Sequence, residues 1–128
     1  MRIGLDAMGS DNAPVVEVNG ALAGRAFLSE GDKIVLVGQE SVIRPHLDKA
    51  SSDWQDFIEI RHAGQVIRMD DSPVETLRAR PDSSIAVLAE LHKTGEVDAC
   101  ISAGNTGAFV AAATMRLRRL PGVHRPGI

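Results

Sequence analysis

Short apolar runs alternate along this chain with longer segments in which apolar residues return every third or fourth position. Arg2-Ile3-Gly4-Leu5-Asp6-Ala7 reads as a first strand and Lys33-Ile34-Val35-Leu36-Val37, ending at Gly38, as a second. Phe57 to His62 reads as a third by alternation, and Asp98-Ala99-Cys100-Ile101-Ser102 as a fourth. The second run is almost unbroken, which suits a parallel strand covered on both faces. Val15, Val18, Leu22 and Ala26 mark an amphipathic helix beginning at Pro14, whose missing N–H is no loss at a helix start. Gly20 and Gly24 weaken that helix by about 1 kcal/mol each relative to Ala, unless they permit close packing on a sheet. Ser41 to Leu47 predicts a short helix in which Pro45 is tolerable only in the first turn. Val66-Ile67 predicts a brief strand and Pro73 to Arg80 a short helix. Asp82-Ser83-Ser84 offers caps for a further helix, with Ile85, Leu88 and Leu91 on its buried stripe and Gly95 as its left-handed end. A last helix is predicted from Ala108 to Leu120, closed by Pro121-Gly122.

Strands alternating with helices imply right-handed crossovers and an α/β fold: a three-layer, open, mostly parallel sheet with helices on both faces. No repeat, low-complexity segment or interdomain linker interrupts the pattern. A chain of 128 residues is expected to form a single α/β domain with a core of its own. His124-Arg125-Pro126-Gly127-Ile128 reads as the lead-in to another strand. The expectation is therefore the N-terminal portion of something larger, with an edge or face of the sheet left uncovered.

Composition narrows the function. Fourteen Lys and Arg against 17 Asp and Glu give a net charge of −3, which argues against nucleic acid as a partner. Aromatic residues are 3% of the chain and Tyr is absent, removing the stacking platforms of single-strand binders. A lone Cys100 forms neither an internal disulfide nor a multi-cysteine zinc site. No apolar run approaches the 18 or so residues of a membrane span, so a cytoplasmic, soluble protein is expected.

The chemistry is expected in two glycine loops, Gly9-Ser10-Asp11-Asn12 after the first strand and Gly104-Asn105-Thr106-Gly107 after the fourth. Open parallel sheets bind ligands outside the carboxyl ends of their strands, and helix N-termini favour anions such as phosphate. Neither loop is a Walker motif or a dinucleotide fingerprint. The plainer reading is that the glycines only make tight strand-to-helix turns, with Asn105 and Thr106 as helix caps.

Asp6-Ala7-Met8-Gly9-Ser10-Asp11-Asn12-Ala13-Pro14 and Ile101-Ser102-Ala103-Gly104-Asn105-Thr106-Gly107-Ala108 closely resemble two motifs of the bacterial phosphate acyltransferase family. Asp98-Ala99-Cys100, Asp82-Ser83-Ser84 and Arg125-Pro126 also look like family positions, so the resemblance runs through essentially the whole chain. Family members are well over twice as long. Their first loop carries a second glycine where Ser10 stands, and often a basic residue where Pro81 stands, leaving Arg78 and Arg80 nearby. The resemblance implies an isopropylmalate-dehydrogenase-like architecture and transfer of a fatty acyl group from acyl carrier protein to inorganic phosphate, in phospholipid synthesis. It implies no cofactor and no metal, a homodimer, and at most peripheral association with the inner face of the membrane.

Phosphate is already a nucleophile, so the protein needs only to hold it, aim it and stabilise an oxyanion. Asn105 and Thr106 are the candidate catalytic residues on this reading. Gly104 and Gly107 would supply backbone donors, and Asp6, Gly9, Ser10 and Asp11 the facing wall, with Ser83 and Ser84 nearby. Arg116, Arg118, Arg119 and Arg125 form a basic cluster that either complements a helix C-terminus or docks the acidic carrier protein. His46, His62 and His92 are scattered and read as surface or packing residues. Cys100 reads as an inert buried thiol, and Met8 and Met69 as gap fillers. Two other classes stand beside the acyltransferase: a non-catalytic phosphate-binding or assembly module, and a nucleotide-dependent dehydrogenase-like enzyme. The second lacks clustered Asp ligands and an adenine-binding segment. The 128-residue chain alone is expected to be inactive, and to self-associate or depend on a partner.

Overall fold

A computed structural model describes residues 1–124. Four strands, β1 (Arg2–Asp6), β2 (Lys33–Gly38), β3 (Ile58–His62) and β4 (Ala99–Ile101), form one sheet in the order β3-β2-β1-β4. Every pairing is parallel, with Ile3 opposite Ile34 and Ala99, and Leu36 opposite Ile60. Five α-helices connect them: α1 (Val15–Gly24), α2 (Glu40–Ala50), α3 (Pro73–Ala79), α4 (Ser84–Lys93) and α5 (Thr106–Leu117). The expected α/β class and parallel sheet are thus present.

Alternation along β2 divides the core. Ile34 and Leu36 face α1 and α2, where Val18, Ala21, Ile43 and Leu47 meet Trp54, Phe57 and Ile58. Val35 and Val37 face the other side, against Leu88 and Leu91 of α4. A further cluster joins α4 to α3 and α5 through Ala86, Ala89, Leu77, Ala108 and Ala112. Small residues at these α4–α5 positions let the two helices approach closely. Gly4 lies beneath this layer, where an added Cβ would meet a Leu88 methyl. Arg2 crosses the strands to reach both carboxylate oxygens of Glu59, at 2.9 and 2.7 Å.

Several element boundaries differ from expectation for local reasons. Pro45 falls in the second turn of α2 rather than the first, and it is tolerated because Ser41 and Pro45 lie on the exposed side while Ile43 and Leu47 carry the burial. Ala26 lies beyond α1 in a 3-10 turn, and Val15 is exposed; the buried side of α1 is Glu17, Val18 and Ala21. Val66-Ile67 makes no strand, only an isolated bridge between Gln65 and Ser83. The last helix starts two residues earlier than predicted and ends at Leu117, because Arg118 turns to φ +68°. Pro121-Gly122 therefore follows the helix without closing it. Gly95 adopts φ +76°, as its expected left-handed role requires. The expected lead-in from His124 to Ile128 lies, past its first residue, outside the described residues.

Candidate functional site

All strands are parallel, so the loops after β1, β3 and β4 gather at one edge of the sheet. Here the two glycine loops touch. A Cβ on Gly9 would lie 2.8 Å from Gly104 Cα and would also strike the Asp6 carboxylate, while one on Gly104 would lie 2.9 Å from Gly9 Cα. Glycine at both positions is what allows backbone to meet backbone.

Asp6 organises this junction from within. It is fully buried; its Oδ1 accepts the Met8 N–H at 3.1 Å and its Oδ2 accepts the Ser102 hydroxyl at 2.8 Å. Ser102 Oγ in turn accepts the Gly104 N–H at 3.1 Å, so one carboxylate fastens both loops. Burial pushes the Asp6 carboxyl up, opposed by the hydroxyls of Ser84 and Ser102 and the Met8 N–H, with the Glu17 carboxylate adding to the rise. Asp6 thus stands behind the expected facing wall and not on its surface.

A third loop completes the edge. An open cleft of about 390 Å³ is lined by Met8, Gly9, Ser10 and Asp11 on one side and by Val66 to Asp70 on the other. The 66–71 loop is tightly anchored. Asp71 Oδ2 accepts the Arg68 N–H at 2.8 Å and an Arg80 guanidinium N–H at 2.7 Å, and Arg80 also donates to the Val66 carbonyl at 2.7 Å. The Arg68 N–H and the Arg80 charge hold the Asp71 carboxyl below its ordinary range. Asn105 fastens the same loop: its Nδ2 donates toward the carbonyls of Arg68, Met69 and Asp71, at 3.1, 3.3 and 3.0 Å. Its Oδ1 accepts the Ala108 N–H at 2.9 Å and caps α5.

The expected residues therefore sort by place. Gly9, Ser10 and Asp11 line the cleft, as do Met8 and Met69. Gly104 supports Gly9 from behind. Asn105 is buried with its amide engaged on both sides, so the helix-cap reading of this residue holds. Thr106 and Gly107 sit exposed in the first turn of α5, outside the cleft, and their N–H groups have no partner among the described residues. Gly107 is confined by Pro73, whose ring a Cβ would meet at 2.8 Å. Ser83 caps α4 by accepting the Ala86 N–H, and Ser83 and Ser84 are both buried, away from the cleft surface. Arg116 pairs with Glu90, Arg119 donates to the His124 carbonyl, and Arg118 forms the turn after α5; Arg125 lies outside the described residues. Burial pushes the Cys100 thiol up to about 11, in keeping with an inert role. Among the described residues, no group of three or more His, Cys, Asp and Glu is placed to hold a metal ion. No helix among them is long and apolar enough to cross a membrane.

Two features escape the sequence reading. The 66–71 segment had a signal, since Ser72-Pro73 starts a helix and so marks the loop after β3 as another strand-end loop. Glu17 had none: it is 6% exposed, and neither carboxylate oxygen has a hydrogen-bond partner among the described residues. It occupies the third position of α1, from which a Glu ordinarily reaches back to the N-cap N–H; the N-cap is Pro14, which has none.

Comparison with known proteins follows the same lines. The chain is 44% identical over 126 residues to the phosphate acyltransferase of Methylococcus capsulatus, covering 98% of this chain and 37% of that protein. It is 44% identical to the phosphate acyltransferase of Halorhodospira halophila and 46% to that of Geobacter sulfurreducens, over 129 residues in each case. Those two alignments take in 100% of this chain and 37% and 36% of the relatives. The chain thus spans little more than a third of the length of the curated relatives it matches. Matched from residue 1 to residue 128, it belongs to the family described as fatty acid synthesis protein.

Proposed function

We propose that this chain is the N-terminal domain of an acyltransferase that moves a fatty acyl group from acyl carrier protein to inorganic phosphate. An oxygen of phosphate adds to the thioester carbonyl, the C–S bond breaks, and the carrier thiol leaves with a proton, so that an acyl phosphate remains. The observation that carries this reading is the backbone contact of Gly9 with Gly104, which sets two small-residue loops beside one open cleft at the C-terminal edge of the sheet. The names of the 44–46% identical relatives support the reaction class.

The roles divide by reach. Gly9, Ser10 and Asp11 form one wall of the acceptor site, and on the other Arg68 is the lining residue whose positive charge offsets the carboxylates of Asp11 and Asp70 toward an anion. Thr106 and Gly107 offer N–H groups at a helix start that have no partner among the described residues, the kind of donor that steadies an oxyanion. Asn105 is a positioning residue, because its amide holds the 68–71 carbonyls. The protein to test is a chimera in which this chain replaces the matching third of the Geobacter relative. Acyl phosphate formed from acyl carrier protein and phosphate is trapped with hydroxylamine. Arg68→Ala is expected to raise the KM for phosphate at least ~10-fold, on the order of one lost charge-assisted hydrogen bond. Thr106→Ala is expected to lower kcat. Failure of the folded chimera to form any acyl phosphate rejects the reaction.

A further inference from the structure

A second open cleft adjoins the first across the 66–70 segment. It shares Val66, Arg68 and Asp70 with the first cleft and adds Gln39, Gln65 and Arg80. Gln39 follows β2 and Gln65 follows β3, two parallel strands whose last residues, Gly38 and His62, stand opposite each other. Both glutamines therefore belong to the strand-end edge where the glycine loops meet, the usual place for a ligand on a parallel sheet. The volume is about 440 Å³, inside the ~300–1,000 Å³ of small-molecule sites.

The polar groups of this cleft are only half committed. Gln39 Nε2 donates to the Gly64 carbonyl at 3.0 Å, and Gln65 Oε1 accepts the Asp82 N–H at 3.3 Å. The Gln39 Oε1 acceptor and the Gln65 Nε2 donors have no partner among the described residues. Arg80 engages one nitrogen, Nη1, with the Val66 carbonyl and the Asp71 carboxylate, and its other N–H groups have no partner among the described residues. Arg68 and Arg80 are balanced by Asp70 and Asp71, which leaves too little positive charge for a polyphosphate but suits a single phosphodiester held by a guanidinium. Val66 is the one apolar side chain in the lining and no aromatic ring stands there, so the walls match neither an acyl chain nor a nucleobase.

We propose that this cleft receives the prosthetic arm on which acyl carrier protein holds its thioester. That arm is a phosphodiester followed by a pair of amides, and these are the groups that Arg80 and the uncommitted halves of Gln39 and Gln65 match. The shared Val66–Asp70 ridge then brings the thioester end of the arm to the first cleft. This rests on the acyl transfer proposed above, and the test separates the two. In the chimera, Gln65→Leu is expected to raise the KM for the acyl carrier thioester at least ~10-fold, on the order of one lost hydrogen bond with its partner left unpaired. The kcat and the KM for phosphate should stay as they were. The same rise is expected for acyl phosphopantetheine free of the carrier. A rise with the carrier protein alone would overturn the assignment, since the protein surface and not the arm would then be recognised; so would no rise with either. If Gln65→Leu does not fold, Gln65→Glu replaces it, because it keeps the oxygen that accepts the Asp82 N–H, and the same outcomes decide. If the chimera forms no acyl phosphate, the reaction is rejected and the cleft is decided by binding alone. Phosphopantetheine added to the chimera is expected to shift the Gln65 side-chain amide and Arg80 Nε signals in NMR spectra, and inorganic phosphate is expected to leave Gln65 unmoved. An unmoved Gln65 amide with phosphopantetheine, or an equal shift with inorganic phosphate, would overturn the assignment.

Discussion

Asp6 and Glu17 are two buried carboxylates that flank the first glycine loop in the chain, and they differ in what surrounds them. Asp6 accepts an N–H and a hydroxyl, whereas Glu17 accepts nothing from the described residues. A buried polar group without a partner costs about 1–3 kcal/mol. Glu17→Leu, close in volume and apolar, is therefore expected to stabilise the chain by about 1–3 kcal/mol in urea unfolding. No change, or a loss, would show that Glu17 has a partner in solution. Asp6 makes a pH prediction. Its folded pKa is raised above the ordinary 3.8, chiefly by burial, so folding favours its protonated form. Its contribution to stability is fully present below about pH 4 and is lost as the pH rises through the raised folded value. Asp6→Asn should flatten that fall, so that the variant loses less stability than the parent between pH 4 and pH 7 in thermal melts. A parallel pair of curves would contradict the assignment.

At the scale of elements, the site depends on a loop that the sequence marks only by the helix start at Ser72-Pro73 behind it. The 66–71 segment lacks periodicity because it forms neither helix nor sheet; hydrogen bonds donated by Arg80 and Asn105, and by the Arg68 N–H to the Asp71 carboxylate, hold it. Asn105 does two jobs, and variants separate them. Asn105→Asp retains the oxygen that caps α5 but removes the donor to the three carbonyls, so proteolysis and amide exchange should quicken at 68–71 with little loss of helix. Asn105→Ala should add the loss of the cap, about 1 kcal/mol, in chemical unfolding. Equal behaviour of the two variants would mean that the carbonyl contacts do not anchor the loop. The α5 boundary follows the same logic. Apolar periodicity favoured a helix to Leu120, yet Arg118 leaves helical space at φ +68°, beyond the last residue that packs on α4.

For the whole molecule, the cleft beside Gly9, an apolar groove between α1 and β1, and the outer edge of β4 open on surfaces that the described residues do not close. The 128-residue chain alone is accordingly expected to yield no acyl phosphate from acyl carrier protein and phosphate under conditions where the chimera does. Turnover by the isolated chain comparable to that of the chimera would refute this.

Four strands, their parallel arrangement and the two glycine loops could be read from the residues alone. β-Branched runs, alternation and glycine placement are local properties, and each element obeys its own stretch of chain. Which residues face the cleft was a different matter. Asp6 and Asn105 carry the polar groups of ligand-binding residues, yet tertiary contacts with Ser102, Met8 and the 68–71 carbonyls turn both inward. Val66 to Asp70, where Val66-Ile67 suggests a brief strand that does not form, became a wall because β3 and β1 end at the same edge. Periodicity reports which side of an element is apolar; only the packed structure decides how a polar side chain divides its hydrogen bonds between the protein and the space beside it.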